Sequence, residues 1–173
     1  SPYKSQINGN QVCVLGAGGS ARAVIYTLIR NFKPSKIILI NRTEQYAETL
    51  KQHFKSKMKF DGIVTKELQQ PDLKSLLNNC SLIVNCTSVG MYPDTDDSIF
   101  SNSDVFLKDQ IVFDLVYNPV KTKFLEFAES KGAVAVNGLN MLVQQAAKAF
   151  TLWTGNEFPT EKVYKSLLLY VTK

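Results

Sequence analysis

Long apolar runs are missing from this sequence. The longest span only a few residues, as in Lys36-Ile-Ile-Leu-Ile-Asn41, so nothing reads as a bilayer-crossing helix and no membrane partner is predicted. No basic segment followed by an apolar stretch and a small-residue cleavage site marks a leader. Cysteine is scarce: Cys13, Cys80 and Cys86 show neither metal-ligand spacing nor the even count of a disulfide framework. They read as reduced, buried thiols of a cytoplasmic protein, and no metal site is predicted. Histidine occurs once, as His53 in a basic helical stretch, and carries no predicted role.

What is present is the composition of a globular domain. The 173 residues are 45% hydrophobic and 20% charged, which is enough for one domain with its own core and excludes a disordered or collagenous chain. The net charge of +5 is unevenly placed. Between Arg30 and Lys59 lie eight basic residues against Glu44 and Glu48, a local excess of +6. Aromatic residues are not interleaved through it in the way single-strand binding needs, so it reads as a solvated helix face with a local anion site as the competing reading, and no nucleic-acid partner is predicted.

Residues 1–11 are polar and read as an incoming linker, leaving 12–173 as the domain. Apolar strand signals occur at Val12–Leu15, Ile37–Ile40, Leu82–Asn85, Ile111–Leu115 and Ala133–Val136, with an ambiguous one in Lys57–Val64. Helical spacing covers Ser20–Arg30, Thr43–Phe54 with Thr43 as N-cap, Pro71–Asn78, Phe124–Ser130, Leu139–Trp153 and Glu161–Val171. Strands without polar alternation, separated by helices, predict a parallel sheet covered on both faces. The expected fold is α/β, a Rossmann-type doubly wound sheet of about six strands in a single domain.

The turn Gly16-Ala17-Gly18-Gly19-Ser20-Ala21 follows the first strand and opens a helix. In that setting Gly16 permits the tight turn, Gly18 lets backbone approach a pyrophosphate, and small Ala21 lets helix and strand pack closely. The helix N-terminus offers its free N–H groups to phosphate. A dinucleotide is therefore the predicted ligand. Domains that take NAD usually end the second strand in Asp or Glu, which accepts from the ribose 2′-OH. Here that strand ends Asn41-Arg42-Thr43, with a guanidinium and no carboxylate. Arg42 can meet a 2′-phosphate with a fork of donors, so NADP is predicted over NAD.

Ligands of such sheets lie beyond the carboxyl ends of the strands, where three further loops fall: Asn85–Met91, Asp114–Pro119 and Asn137–Met141. Tyr117 is a cleft candidate. In the following helix Gln144, Lys148 and Thr151 form a polar stripe, whereas Gln145 shares an apolar face with Met141, Leu142, Ala149 and Leu152. An amide there needs partners from protein, water or ligand, and Met141 is by default core packing.

Taken in order, Gly16-Ala-Gly-Gly-Ser-Ala-Arg-Ala23, Asn41-Arg-Thr43, Asn85-Cys-Thr-Ser-Val-Gly-Met91, Asp114-Leu-Val-Tyr-Asn-Pro119 and Asn137-Gly-Leu-Asn-Met-Leu-Val-Gln-Gln-Ala146 resemble the carboxy-terminal NADP-binding domain of the shikimate dehydrogenase family. The resemblance runs from about Val12 to Trp153. It implies that Thr87, Ser88, Val89, Leu115, Gly138 and Met141 line the nicotinamide half. It also implies that Tyr117 and Gln145 reach the hydroxyls and carboxylate of shikimate or 3-dehydroshikimate. The family often carries a second basic residue four positions after Arg42; here it is Tyr46, which could stack on adenine or leave the clamp half-built. The family's catalytic Lys and Asp lie in an amino-terminal substrate domain, in motifs resembling S-x-T-x-P-x-K and N-T-D, and neither motif occurs in this sequence. The resemblance thus implies the cofactor half of an enzyme of aromatic amino acid biosynthesis. That half would pair with a substrate domain, have no catalytic residue of its own and be inactive alone. A quinate/shikimate dehydrogenase domain and a free-standing NADP-binding module are the alternatives.

Overall fold

The computed structural model of the chain describes residues 2–69 and 71–172. Six strands form one sheet: β1 (Gln11–Leu15), β2 (Lys36–Asn41), β3 (Ile63–Glu67), β4 (Cys80–Asn85), β5 (Ile111–Asp114) and β6 (Val134–Val136). Their order is β3-β2-β1-β4-β5-β6 and every pairing is parallel. This is the doubly wound order expected for a Rossmann-type sheet, with its reversal between β1 and β4.

The continuous apolar strands are explained by cover on both faces. On one face Val12, Val14, Ile37 and Leu39 pack under Ala21 and Ile25 of α2 (Gly19–Thr27) and under Ala47, Leu50 and Phe54 of α3 (Glu44–Met58). On the other, Cys13, Leu15, Ile38, Ile83 and Val112 meet Leu77 of α4 (Leu73–Asn78) and Phe124, Leu125 and Ala128 of α5 (Lys123–Ser130). The long connection from β4 to β5 carries only a short 3-10 turn, Ser103–Val105. It is held down by Phe100 and Phe106, whose rings meet edge-on 5.8 Å apart, with Phe106 also edge-on to Phe124 at 5.4 Å.

Several boundaries differ from the sequence reading. The lead-in is not all linker: Lys4–Ile7 form a helical turn, α1, Gln11 already belongs to β1, and Ile7 is 3% exposed within the α2-side core. The helix expected over Ser20–Arg30 is α-helical only to Thr27. It then widens into a π-turn, Leu28–Phe32, which keeps Leu28 buried while Phe32 packs on the same cluster. α3 runs on past Phe54 because Met58 also packs against that core, and Lys59 ends it in the left-handed conformation. β3 settles at Ile63–Glu67, paired to all but the first residue of β2. Thr43 sits at the N-cap position of α3 in extended conformation, but its side chain makes no capping bond.

The carboxy-terminal helices α6 (Leu139–Thr154) and α7 (Thr160–Val171) pack chiefly on each other, with Phe150 and Phe158 rings 5.5 Å apart. Among the described residues no helix is long and apolar enough to cross a membrane.

The packing of the lead-in is directly testable. Ile7→Ala should lower the free energy of unfolding by about 2–4 kcal/mol in urea denaturation, as expected for emptying a buried aliphatic site, whereas exposed Lys4→Ala should change it by less than about 0.5 kcal/mol. Equal, small effects would place the lead-in outside the fold.

Candidate cofactor-binding site

Where the strand order reverses, the chain leaves β1 and β4 in opposite directions and a crevice opens at their carboxyl ends. Backbone bonds fix the end of β1 to both neighbours: Cys86 N donates to Leu15 O at 2.8 Å, and Gly16 N donates to Ile40 O at 2.7 Å. Gly16 has φ +98°, and an added Cβ would stand 3.0 Å from Thr87 Cγ2, so both conformation and space demand glycine. At Gly18 and Gly19 an added Cβ would meet nothing within 4 Å. These two glycines face open space, and α2 begins there with no side-chain cap and no acid in its first turn. Ala21 is fully buried against the sheet, while Ala17 is half-buried and Ser20 exposed.

A cavity of about 420 Å³ lies beside this turn. Gly16, Asn41, Arg42, Thr87, Ser88 and Val89 all line it, so residues 73 apart at the extremes of that set meet in one place. Asn41 Nδ2 donates to Thr43 O at 2.8 Å and shapes the turn that presents Arg42. Among the described residues no carboxylate lies within salt-bridge distance of Arg42. Of the eight basic residues in the Arg30–Lys59 stretch, Arg42 alone lines this cavity. Two others are paired, Lys51 with Glu48 at 3.0 Å and Lys55 with Asp61 at 3.2 Å. Glu48 is held below its ordinary range by hydrogen bonds from Lys51, Thr65 and Gln52. Tyr46, 66% exposed on the first turn of α3, is not part of the cavity wall.

Leu68, Ser98 and Ile99 also line the cavity, and sequence reasoning missed them. Ser98 comes from the long connection, where nothing in the local pattern distinguishes it. Its Oγ is buried without a hydrogen-bond partner, an arrangement that a polar ligand edge would complete. Open backbone at Gly18 and Gly19, an unpaired guanidinium and an orphaned hydroxyl together fit a dinucleotide carrying an extra phosphate.

The three loops beyond β4, β5 and β6 are joined by buried hydrogen bonds. Asp114, 0% exposed, accepts from Asn85 Nδ2 at 2.9 Å, Val116 N at 3.0 Å and Thr122 Oγ1 at 2.6 Å. Asn85 Oδ1 in turn accepts from Thr87 N at 2.9 Å and Thr87 Oγ1 at 2.7 Å, and Thr87 Oγ1 accepts from Val89 N at 3.2 Å. Thr122 Oγ1 also caps α5, accepting from Leu125 N. Gly138 N donates to Val116 O at 3.1 Å, and a Cβ on Gly138 would overlap the Leu115 carbonyl oxygen. Burial pushes the Asp114 carboxyl above its ordinary range, against the pull of its three hydrogen bonds. Burial likewise pushes the Cys86 thiol up to about 12, with the Asp114 charge adding to it, which favours the thiol over the thiolate at neutral pH.

Met141 and Gln145 lie elsewhere. They line a separate cavity of about 470 Å³ on the α2 side of β4–β6, walled by Leu82, Phe113, Val136 and Tyr3 among others. Gln145 is exposed, not set on a buried face, and Met141 is half-buried. Further along the same helix Leu152 is 83% and Trp153 84% exposed. Leu139 and Val143 of α6 are buried, but the helix contacts chiefly α7, and its last turns leave Leu152 and Trp153 open. Tyr117 is partly exposed on the loop after β5 and lines neither cavity.

The raised Asp114 carboxyl has a signed consequence. A folded-state pKa above the unfolded value means the folded state binds more protons, so stability falls as pH rises from the ordinary aspartate range through the raised one. Asp114→Asn should remove that component. The stability difference between the two proteins, from urea melts at several pH values, should shift in the variant's favour as pH rises across this window. A pH-independent difference would contradict it.

Residues 2–129 match the family model for shikimate/quinate 5-dehydrogenases, and residues 138–168 that for the shikimate 5′-dehydrogenase carboxy-terminal domain. A shikimate dehydrogenase (NADP(+)) of Methanopyrus kandleri is 41% identical over 162 residues, 92% of this chain and 54% of that protein. A shikimate dehydrogenase solved in complex with NADP+ superposes with a TM-score of 0.85 at 33% identity, over 96% of this chain and 56% of that one. The shikimate 5-dehydrogenase from Listeria monocytogenes, solved with shikimate and NAD, gives 0.81 at 31% identity, over 93% and 56%. The chain therefore spans about half the length of the relatives it matches. With the sheet order, the glycine turn and most of its length in agreement, the chain belongs to the shikimate/quinate 5-dehydrogenase family.

Proposed function

We propose that this chain is the NADP(H)-binding portion of a shikimate dehydrogenase, which reduces 3-dehydroshikimate to shikimate reversibly with NADPH. The observation that carries the reading is Arg42: it directly follows β2 where an NAD-preferring sheet would place a carboxylate, lines the cavity beside the glycine turn, and has no acidic partner among the described residues. A 2′-phosphate bears between one and two negative charges near neutrality, and a guanidinium with free donors is suited to it. Thr43 Oγ, not engaged in capping, and the start of α3 would add to that grip. The open backbone at Gly18 and Gly19 would take the pyrophosphate, with Ala17, Ser20 and Ala21 completing the turn. Tyr46 would face adenine.

Thr87, Ser88, Val89, Leu115 and Gly138 would border the nicotinamide, and Tyr117 would turn to substrate hydroxyls. Met141 and Gln145, which line the separate cavity on the α2 side, would reach nicotinamide and substrate carboxylate only once a substrate domain is in place. NADPH, when bound, supplies the hydride. The chain's own residues bind and orient, and none of its Lys or Asp residues is assigned the proton step. That step would fall to Lys and Asp of an amino-terminal substrate domain, so this chain alone is inactive. Two features support the pairing: the relatives are nearly twice as long, and Leu152, Trp153, Leu169 and Tyr170 leave an apolar face open on α6 and α7. A cytoplasmic setting accords with three thiols that form no disulfide.

Calorimetric titration with NADPH and NADH tests the reading. Arg42→Ala should weaken NADPH by about 1–3 kcal/mol, the loss of a charged hydrogen bond, and barely change NADH. The unaltered chain should bind NADPH yet show no turnover with 3-dehydroshikimate. Equal weakening for both cofactors would remove Arg42 as the phosphate reader, and turnover by the chain alone would remove the need for a second domain.

A further inference from the structure

We propose that Asp114 is a positioning residue for the nicotinamide half of the site, acting through Asn85 and the Val116 amide without touching ligand. The inference rests on the reading that Thr87–Val89 and Leu115 border the nicotinamide.

Asp114 closes β5 with its carboxylate fully buried and, among the described residues, in no ion pair. Three donors converge on it instead. Oδ1 takes Asn85 Nδ2 and Val116 N, and Oδ2 takes Thr122 Oγ1. A carboxylate stabilised only by dipoles is a costly element of packing, and burial holds it above its ordinary range. What it secures is geometry on two sides. Toward β4, Asn85 passes the constraint on: its Oδ1 holds both the amide and the hydroxyl of Thr87, and that hydroxyl holds the Val89 amide. Toward β6, the Val116 amide is fixed on Oδ1 while the Val116 carbonyl accepts from Gly138 N. One side chain that lines neither cavity thus sets the backbone on both flanks of the proposed nicotinamide position. The glycine turn and Arg42, at the adenosine end, receive no bond from this network.

That asymmetry separates a positioning role from a general contribution to folding. The probes are NADPH, which needs both ends of the site, and 2′,5′-ADP, which needs only the adenosine end. Both are titrated into the chain and its Asp114→Ala, Asp114→Asn and Thr122→Val variants. Asp114→Ala should lower NADPH affinity about tenfold and change 2′,5′-ADP affinity less than about twofold. Asp114→Asn keeps an oxygen for Val116 N and Asn85 Nδ2 and should recover NADPH affinity to within about threefold. Thr122→Val removes one bond and carries the test if Asp114→Ala does not fold, with an NADPH-selective loss of about threefold. Equal losses for the two ligands, or none for either, overturn the proposal. If the unaltered chain binds NADPH no more tightly than 2′,5′-ADP, the nicotinamide reading of these loops fails first, and the proposal with it.

Discussion

A carboxylate sealed from water at the end of a central strand is a strong constraint on everything around it. Asp114 receives three hydrogen bonds from three different segments, and each of those donors would be left unsatisfied in a dry environment if the carboxylate moved. The loops after β4 and β5 and the first turn of α5 are therefore not independent. Thr122 illustrates the economy of the arrangement, since one hydroxyl donates to Asp114 and accepts from Leu125 N to cap α5. Gly138 extends the same constraint to the loop after β6, because only a residue without a side chain can stand against the Leu115 carbonyl.

The sheet order supplies the other half of the design. With β1 and β4 side by side and their crossovers on opposite faces, the crevice between them is available to a ligand, and the glycine turn lies at its edge. Gly16 leaves no room for a side chain beside Thr87, so the loops after the first and fourth strands pack directly against each other. The result is a site with two ends of different character: an open, cationic end at Gly18, Gly19 and Arg42, and a pinned end at Thr87, Val89 and Val116.

The parts legible in the sequence are those encoded locally. Unbroken apolar runs such as Ile37–Ile40 identify buried parallel strands, while the glycine turn between strand and helix and the arginine in place of an acid after β2 are the local features on which the proposed NADP site rests. The parts not legible depend on distance in the chain. Asn85 and Asp114 are 29 positions apart, and nothing near either one announces their contact. Ser98 enters the cavity wall from a polar loop without periodicity. Ile7 looks like a stray apolar residue in a polar lead-in until α2 and the sheet close over it. The surroundings of Gln145 are not legible for a different reason: helical spacing places it on an apolar face, but spacing cannot say whether that face is covered, and here Gln145, Leu152 and Trp153 are exposed.

That uncovered face and the half-length match to its relatives support the proposal of a cofactor site assembled within this chain and a substrate site completed outside it. The central claim is that the crevice at the carboxyl ends of β1, β2 and β4 is a ready-made NADP site. Amide hydrogen exchange with and without NADPH tests it most directly. The account predicts slow exchange at Val116, Thr87 and Val89 before ligand is added, and new protection on binding at Gly18–Ala21, Asn41–Thr43 and Thr87–Val89. Protection that instead appears on α6 and α7, or fast exchange of the Asp114-linked amides in the free chain, would contradict it.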